Sequence, residues 1–66
     1  MNRFLHLSDH TTYDVETAVT YTKFSEIKEG GVQIDTVLVT SAHGEPALRF
    51  EGAEATALWV NLRNAQ

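Results

Sequence analysis

The stretch Gly44–Ala65, GEPALRFEGAEATALWVNLRNA, decides how this chain folds, because it reads in succession as a turn, a short strand and an amphipathic helix. At about 100° per residue, Ala55, Leu58, Trp59, Leu62 and Ala65 fall on one arc roughly 120° wide, the width of a helical stripe that lies on a core. Thr56, Asn61, Arg63 and Asn64 take the other face. Ahead of the helix, Leu48 and Phe50 alternate with Arg49, so the two apolar side chains point in while the arginine points out. Pro46 stands at the start of that strand, one of the few places where a sheet accepts a residue without an N–H. Gly52 marks the exit from strand to helix, and Glu54 in the first turn complements the positive end of the helix dipole.

Upstream, the chain reads as strands. Arg3 to Leu7 alternates, with Leu5 and Leu7 on one side and Phe4 and His6 on the other. Ser8, Asp9 and His10 break it with side chains that bond readily to nearby backbone, and Thr11 to Val15 returns as a second strand. Glu16 to Ala18 is a turn, a bulge or a single helical turn. Val19 to Ile27, VTYTKFSEI, is rich in β-branched and aromatic residues and reads as a third strand. Lys28, Glu29, Gly30 and Gly31 supply a hairpin connection, and Val32 to Ser41 runs back antiparallel. In this last strand Val32, Ile34 and Leu38 share a side, whereas Val37 and Val39 lie on the other. A further turn, Ala42 to Glu45, is centred on Gly44. The fold class is therefore α+β: an antiparallel four- to five-stranded β-meander followed by one C-terminal amphipathic helix packed on one face, with residues 1–66 forming a single domain.

Size and charge narrow the function. A chain of 66 residues removes only roughly 60% of its unfolded surface on folding, so its core is thin. Disulfides, a metal or self-association are the usual reinforcements, and the absence of cysteine removes disulfides and thiolate metal sites. Five Lys and Arg against nine Asp and Glu give a net charge of −4 with no basic run, which argues against binding a nucleic-acid phosphate backbone. No run approaches the about 18 apolar residues of a membrane span, and MNRFLHLSDH lacks the apolar content of a signal peptide. A cytoplasmic protein without membrane contact is the expectation.

One helix covers one face of a sheet. The stripe Ala55, Leu58, Trp59 and Leu62 is expected to lie on Leu5, Leu7, Ile34, Leu48 and Phe50, which leaves Tyr13, Tyr21, Val37 and Val39 as an apolar and aromatic surface on the far side. Either the sheet curls on itself or that face packs on a second subunit, and the second reading is the one carried forward. Trp59 packs in the core or, with its N–H at a wet rim, at a subunit contact. The expected interface residues are thus Tyr13, Tyr21, Val37, Val39 and Trp59.

No catalytic or ligand motif competes with this reading. Ser8, Asp9 and His10 carry the letters of a hydrolase triad, but adjacent residues cannot place the base between nucleophile and orienting acid. His6, His10 and His43, with Asp9 or Glu45, would form a metal set only if the first hairpin and the Ala42–Pro46 turn met at one end of the sheet, and their spacing matches no ligand motif. Gly30 and Gly31 precede a β-rich run rather than the helix N-terminus that a phosphate cradle needs. Arg49 and Arg63 could capture an anion if strand and helix bring them together, but pairing with Glu45, Glu51 or Glu54 explains them as well. Catalytic, cofactor-binding and metal-ligating residues are accordingly none, and no cofactor is expected. The composition points to a small acidic homo-oligomeric binding or regulatory module that is not an enzyme, with a protein partner or a small ligand held where subunits meet. The alternative is a monomeric acidic inhibitor whose nine carboxylates mask the basic surface of a nucleic-acid enzyme.

Overall fold

The computed structural model describes residues 2–43 and 47–65. The turn read around Gly44 and the strand start at Pro46 lie outside those residues. Strand β5, Leu48–Glu51, runs into helix α1, Ala53–Asn64, through the single residue Gly52. Its φ of 67° and ψ of −134° suit glycine and strain any residue with a Cβ. The Gly52 carbonyl accepts the Thr56 N–H at 3.0 Å, the first bond of the helical ladder. This abrupt reversal folds α1 back over the side of the sheet to which Phe50 points.

The remaining strands are β1, Phe4–Ser8; β2, Thr11–Asp14; β3, Val19–Ile27; and β4, Gln33–Ser41. They form one five-stranded sheet in the order β1-β2-β3-β4-β5, every neighbour antiparallel. The α+β meander with its C-terminal helix is therefore the observed fold, and β3 takes the bounds that its β-branched run implies. The connection Lys28–Val32 includes one turn of 3-10 helix, Glu29–Gly31, in which Gly30 and Gly31 take φ of 79° and 78°.

Register settles what each strand buries. Val37 lies opposite Phe50 and Lys23, and Val39 opposite Leu48 and Tyr21. Val37, Ala55, Trp59 and Leu62 are buried, with Phe4, Tyr21, Val39, Phe50 and Leu58 packed around them. The two faces of β4 are thus assigned the other way round from the sequence reading. Val37, Val39 and Tyr21 lie under the helix, while Ile34 and Leu5, expected in the core, stand on the opposite face. The cause is the β4–β5 pairing: α1 necessarily covers Phe50's face, and the residue opposite Phe50 is Val37, not Leu38. Leu7 falls where the β1–β2 register shifts, and it is largely exposed.

Two side-chain clusters tie the elements together. Asp14, buried at the end of β2, accepts both Arg3 Nε and Nη2 at 3.0 Å and Thr17 Oγ1 at 2.8 Å. It also accepts the backbone N–H groups of Glu16 and Thr17, so its carboxylate organises the turn into β3, which reaches Ala18 at a φ of 57°. At the other end of the helix, Arg63 donates to the Ser8 carbonyl at 3.0 Å and lies over the Trp59 ring, 5.8 Å from its centroid.

Strands β3 and β4 are longer than their neighbours. Pairing with β2 ends at Thr22 and pairing with β5 ends at Thr36, so the rest of the β3–β4 hairpin projects as an arm. Ile27 and Val32 are exposed at its tip, and the molecule measures 44 × 26 × 18 Å.

Candidate functional site

The helix lies over one side of the sheet, and the register identifies the residues that face the other. Leu5, Tyr13, Thr20 and Thr40 form one cross-strand row, and Thr11, Thr22, Leu38 and Arg49 form the next. Phe24, Thr36 and Glu51 follow, then Glu26 and Ile34. Leu5 and Phe24 remain exposed, while Tyr13, Leu38 and Ile34 are half-buried by their neighbours on the pleated surface. Helix α1 makes no use of this open face.

Its polarity is divided. The rows on β1, β2 and the first half of β3 carry hydroxyls and apolar groups only. Charge is confined to the β5 side and the base of the arm, where Arg49 bonds to Glu26 and to Glu51 at 2.9 Å. Lys28 reaches the same Glu51 oxygen at 3.1 Å. The bond from Arg49, then that from Lys28, holds the Glu51 carboxyl below its ordinary value. Thr36, fully buried, donates to Glu26 Oε1 at 2.7 Å, and the Arg49 guanidinium lies over Phe24. Among the described residues each of the two carboxylates on this face, Glu26 and Glu51, therefore has a cation.

Of the residues expected at a contact, only Tyr13 stands on the open face. Tyr21, Val37 and Val39 are on the helix side, and Trp59 is 7% exposed within the core there. Leu5, Phe24, Ile34 and Leu38 take the places that reading gave to them. The signal that finds them is parity counted outward from Phe50, which requires the β4–β5 register. Chain comparison supplies no further identification. No family model, curated protein or solved structure matches this chain.

Among the described residues the other groups weighed for chemistry are not brought together, and Glu45 lies outside those residues. His6 shares a hydrogen bond with Thr12, Nδ1 to Oγ1 at 3.1 Å. The His10 carbonyl accepts the Lys23 N–H, halfway along β3, while Ala42, beside His43, bonds to Ala18 at the start of that strand. The first hairpin turn and the His43 turn thus sit at different levels of the sheet. Among the described residues no three His, Asp or Glu side chains form a group able to hold a metal. Arg49 faces the open side and Arg63 the helix side, so they do not converge on one anion. No helix among the described residues is long and apolar enough to cross a membrane.

The acidic residues are largely engaged. Asp14 and Glu16 pair with Arg3, Asp35 with Lys23, Glu26 with Arg49, and Glu51 with Arg49 and Lys28. Among the described residues Asp9, Glu29 and Glu54 have no basic side chain within 4.0 Å, and they lie in the first turn, the arm tip and the helix start.

Proposed function

We propose that this chain is a small homo-oligomeric binding module, not an enzyme, that works in the cytoplasm and associates through the open face of its sheet. The supporting observation is the imbalance between the two faces. The helix side buries Val37, Ala55, Trp59 and Leu62, a core small even for a chain of this length. The open side carries Leu5 and Phe24 exposed, with Tyr13, Ile34 and Leu38 half-buried only by their neighbours on the sheet, and an apolar group of that kind gains from a second layer over it. Self-association supplies that cover without a second helix. A ligand or partner protein would then be held in the grooves where subunits meet.

The reading as a monomeric acidic inhibitor draws less support. Masking a basic surface requires carboxylates free to pair across an interface, and most of those described already pair within the chain. The test is solution mass by light scattering at two concentrations and two salt levels. An assembly of two or more chains that persists at high salt supports the module. A monomer at every concentration, whose binding to basic proteins weakens steeply with salt, would replace it with the inhibitor.

A further inference from the structure

We infer that the open face docks on the same face of a second copy of this chain, in a two-fold arrangement whose axis passes close to Thr22. The inference rests on the homo-oligomeric reading above and adds the same-face pairing and the position of its axis.

Charge selects the occupant. A chain of net charge −4 repels its own copy over most of its surface, and like charges placed opposite one another in a contact cost several kcal/mol. On the open face the described carboxylates are offset within each copy. The two acidic residues described on the open face, Glu26 and Glu51, pair with Arg49 and Lys28, and its central rows are Leu5-Tyr13-Thr20-Thr40 and Thr11-Thr22-Leu38, the second ending at Arg49 on the edge strand β5. A nucleic acid would need unpaired cations on this face and a basic protein would need unpaired anions. A surface of leucine, aromatic rings and threonine hydroxyls fits an equally neutral surface, and its own copy is one.

Area agrees with charge. A stable contact takes about 800 Å² from each partner, roughly a sixth of the 4522 Å² that this chain exposes. Two strands of nine residues and three of four or five, at about 3.3 Å per residue and about 4.8 Å apart, present roughly 500 Å² in plan, more than half of that figure before the relief of the side chains is added. A strand edge offers less. The unpaired stretch of β3 beyond Thr22 is only five residues long, Lys23–Ile27, and pairing along it would bury far less.

Position fixes the axis. Thr22 lies on the central strand of five and is flanked by Thr11 and Leu38. An axis there stacks the neutral rows of the two sheets at the centre, about 10 Å apart, and carries the Glu26–Arg49–Glu51–Lys28 cluster of each copy to the rim. Paired charges are least costly at a rim, because solvent still reaches them.

The test is charge complementation at Thr22, read by light scattering, with helix circular dichroism and Trp59 fluorescence as fold controls. Thr22→Glu and Thr22→Lys, each alone, place like charges across the axis. Each is expected to halve the dimer mass to the chain's 7.4 kDa and to raise the dimer dissociation constant at least about a hundredfold. An equimolar mixture of the two is expected to restore the dimer. If either variant loses its helix signal, Thr20→Glu and Thr20→Lys, one row along on the same face, replace the pair. Variants that remain dimeric overturn the face contact and leave the oligomeric reading standing. Monomeric variants whose mixture stays monomeric overturn the axis. A wild-type chain that is itself monomeric overturns both readings.

Discussion

Asp14 shows what one side chain can hold in a protein with so small a core. It is 1% exposed and charged, a combination that persists only where hydrogen bonds replace the lost water. The bidentate bond from Arg3 is the largest influence on its carboxyl. With help from Thr17 and two backbone N–H groups, and against the opposing effect of burial, that bond lowers its pKa from 3.8 to about 2. A carboxyl whose folded pKa is depressed contributes stability that is complete above its unfolded value and disappears as the pH falls through the folded one. The window here runs from about pH 4 down to about pH 2. At about 1.4 kcal/mol per pKa unit the shift is worth at most roughly 2.5 kcal/mol, and because solvent reaches Arg3, 44% exposed, about 1 to 2 kcal/mol is the realistic share. Asp14→Asn should lower the urea-unfolding free energy by that amount at pH 7, and the difference from wild type should shrink to a small fraction of it by pH 2. An unchanged gap at pH 2 would mean that Asp14 acts through packing alone. The sequence contains the signal for this cluster, an Asp followed three residues later by Thr in a turn. Its partner Arg3, eleven residues away, is supplied by the β1–β2 register.

At the scale of elements, the order of strands and helix is legible in the sequence because each is specified locally. Alternation gives the strands, Gly30 and Gly31 give the hairpin, and the Ala55-Leu58-Trp59-Leu62 stripe gives the helix. Which face of β4 meets the helix is not local. Residues 34 and 38 form as good an apolar set as 37 and 39, and the choice depends on which of them Phe50 is paired with. That pairing is set across the β4–β5 connection, whose length composition does not translate into register. Of the four residues that local alternation places on the far face, Tyr21, Val37 and Val39 lie on the helix side instead, and Trp59, which the helix stripe places in the core or at a rim, is buried there. That placement makes a sharp prediction for the helix. Trp59 is the largest of the four buried apolar residues, and a Trp→Ala change in a core costs about 3 to 5 kcal/mol, close to the whole stability of a small domain. Trp59→Ala should leave the chain mostly unfolded at 25 °C by circular dichroism. Val60→Ala, on the 51% exposed side of the same helix, should change stability by less than about 0.5 kcal/mol. Comparable losses in the two variants would show that the helix is not anchored by that side.

For the whole molecule, the small core and the open face are two sides of one problem. A sheet with helix cover on one side can complete its burial only by meeting another surface, and if that surface is a second copy, folding and association draw on the same apolar area. Stability then becomes a function of protein concentration. A tenfold rise in chain concentration adds about 1.4 kcal/mol per dimer to the folded side, or half of that per chain. With about 4 to 8 °C of Tm for each kcal/mol at this chain length, the melting temperature should climb about 3 to 6 °C per decade of concentration. Thr22→Glu should abolish the slope and melt at the low-concentration limit of wild type, because it removes the contact while leaving the helix-side core intact. The limit it falls to is set by the helix-side core, Val37, Ala55, Trp59 and Leu62 with Phe4, Tyr21, Val39, Phe50 and Leu58 packed around them. A wild-type Tm that does not move over two decades of concentration would mean that this core and the Arg3–Asp14 cluster suffice to fold a single chain. The open face would then be free for a different protein.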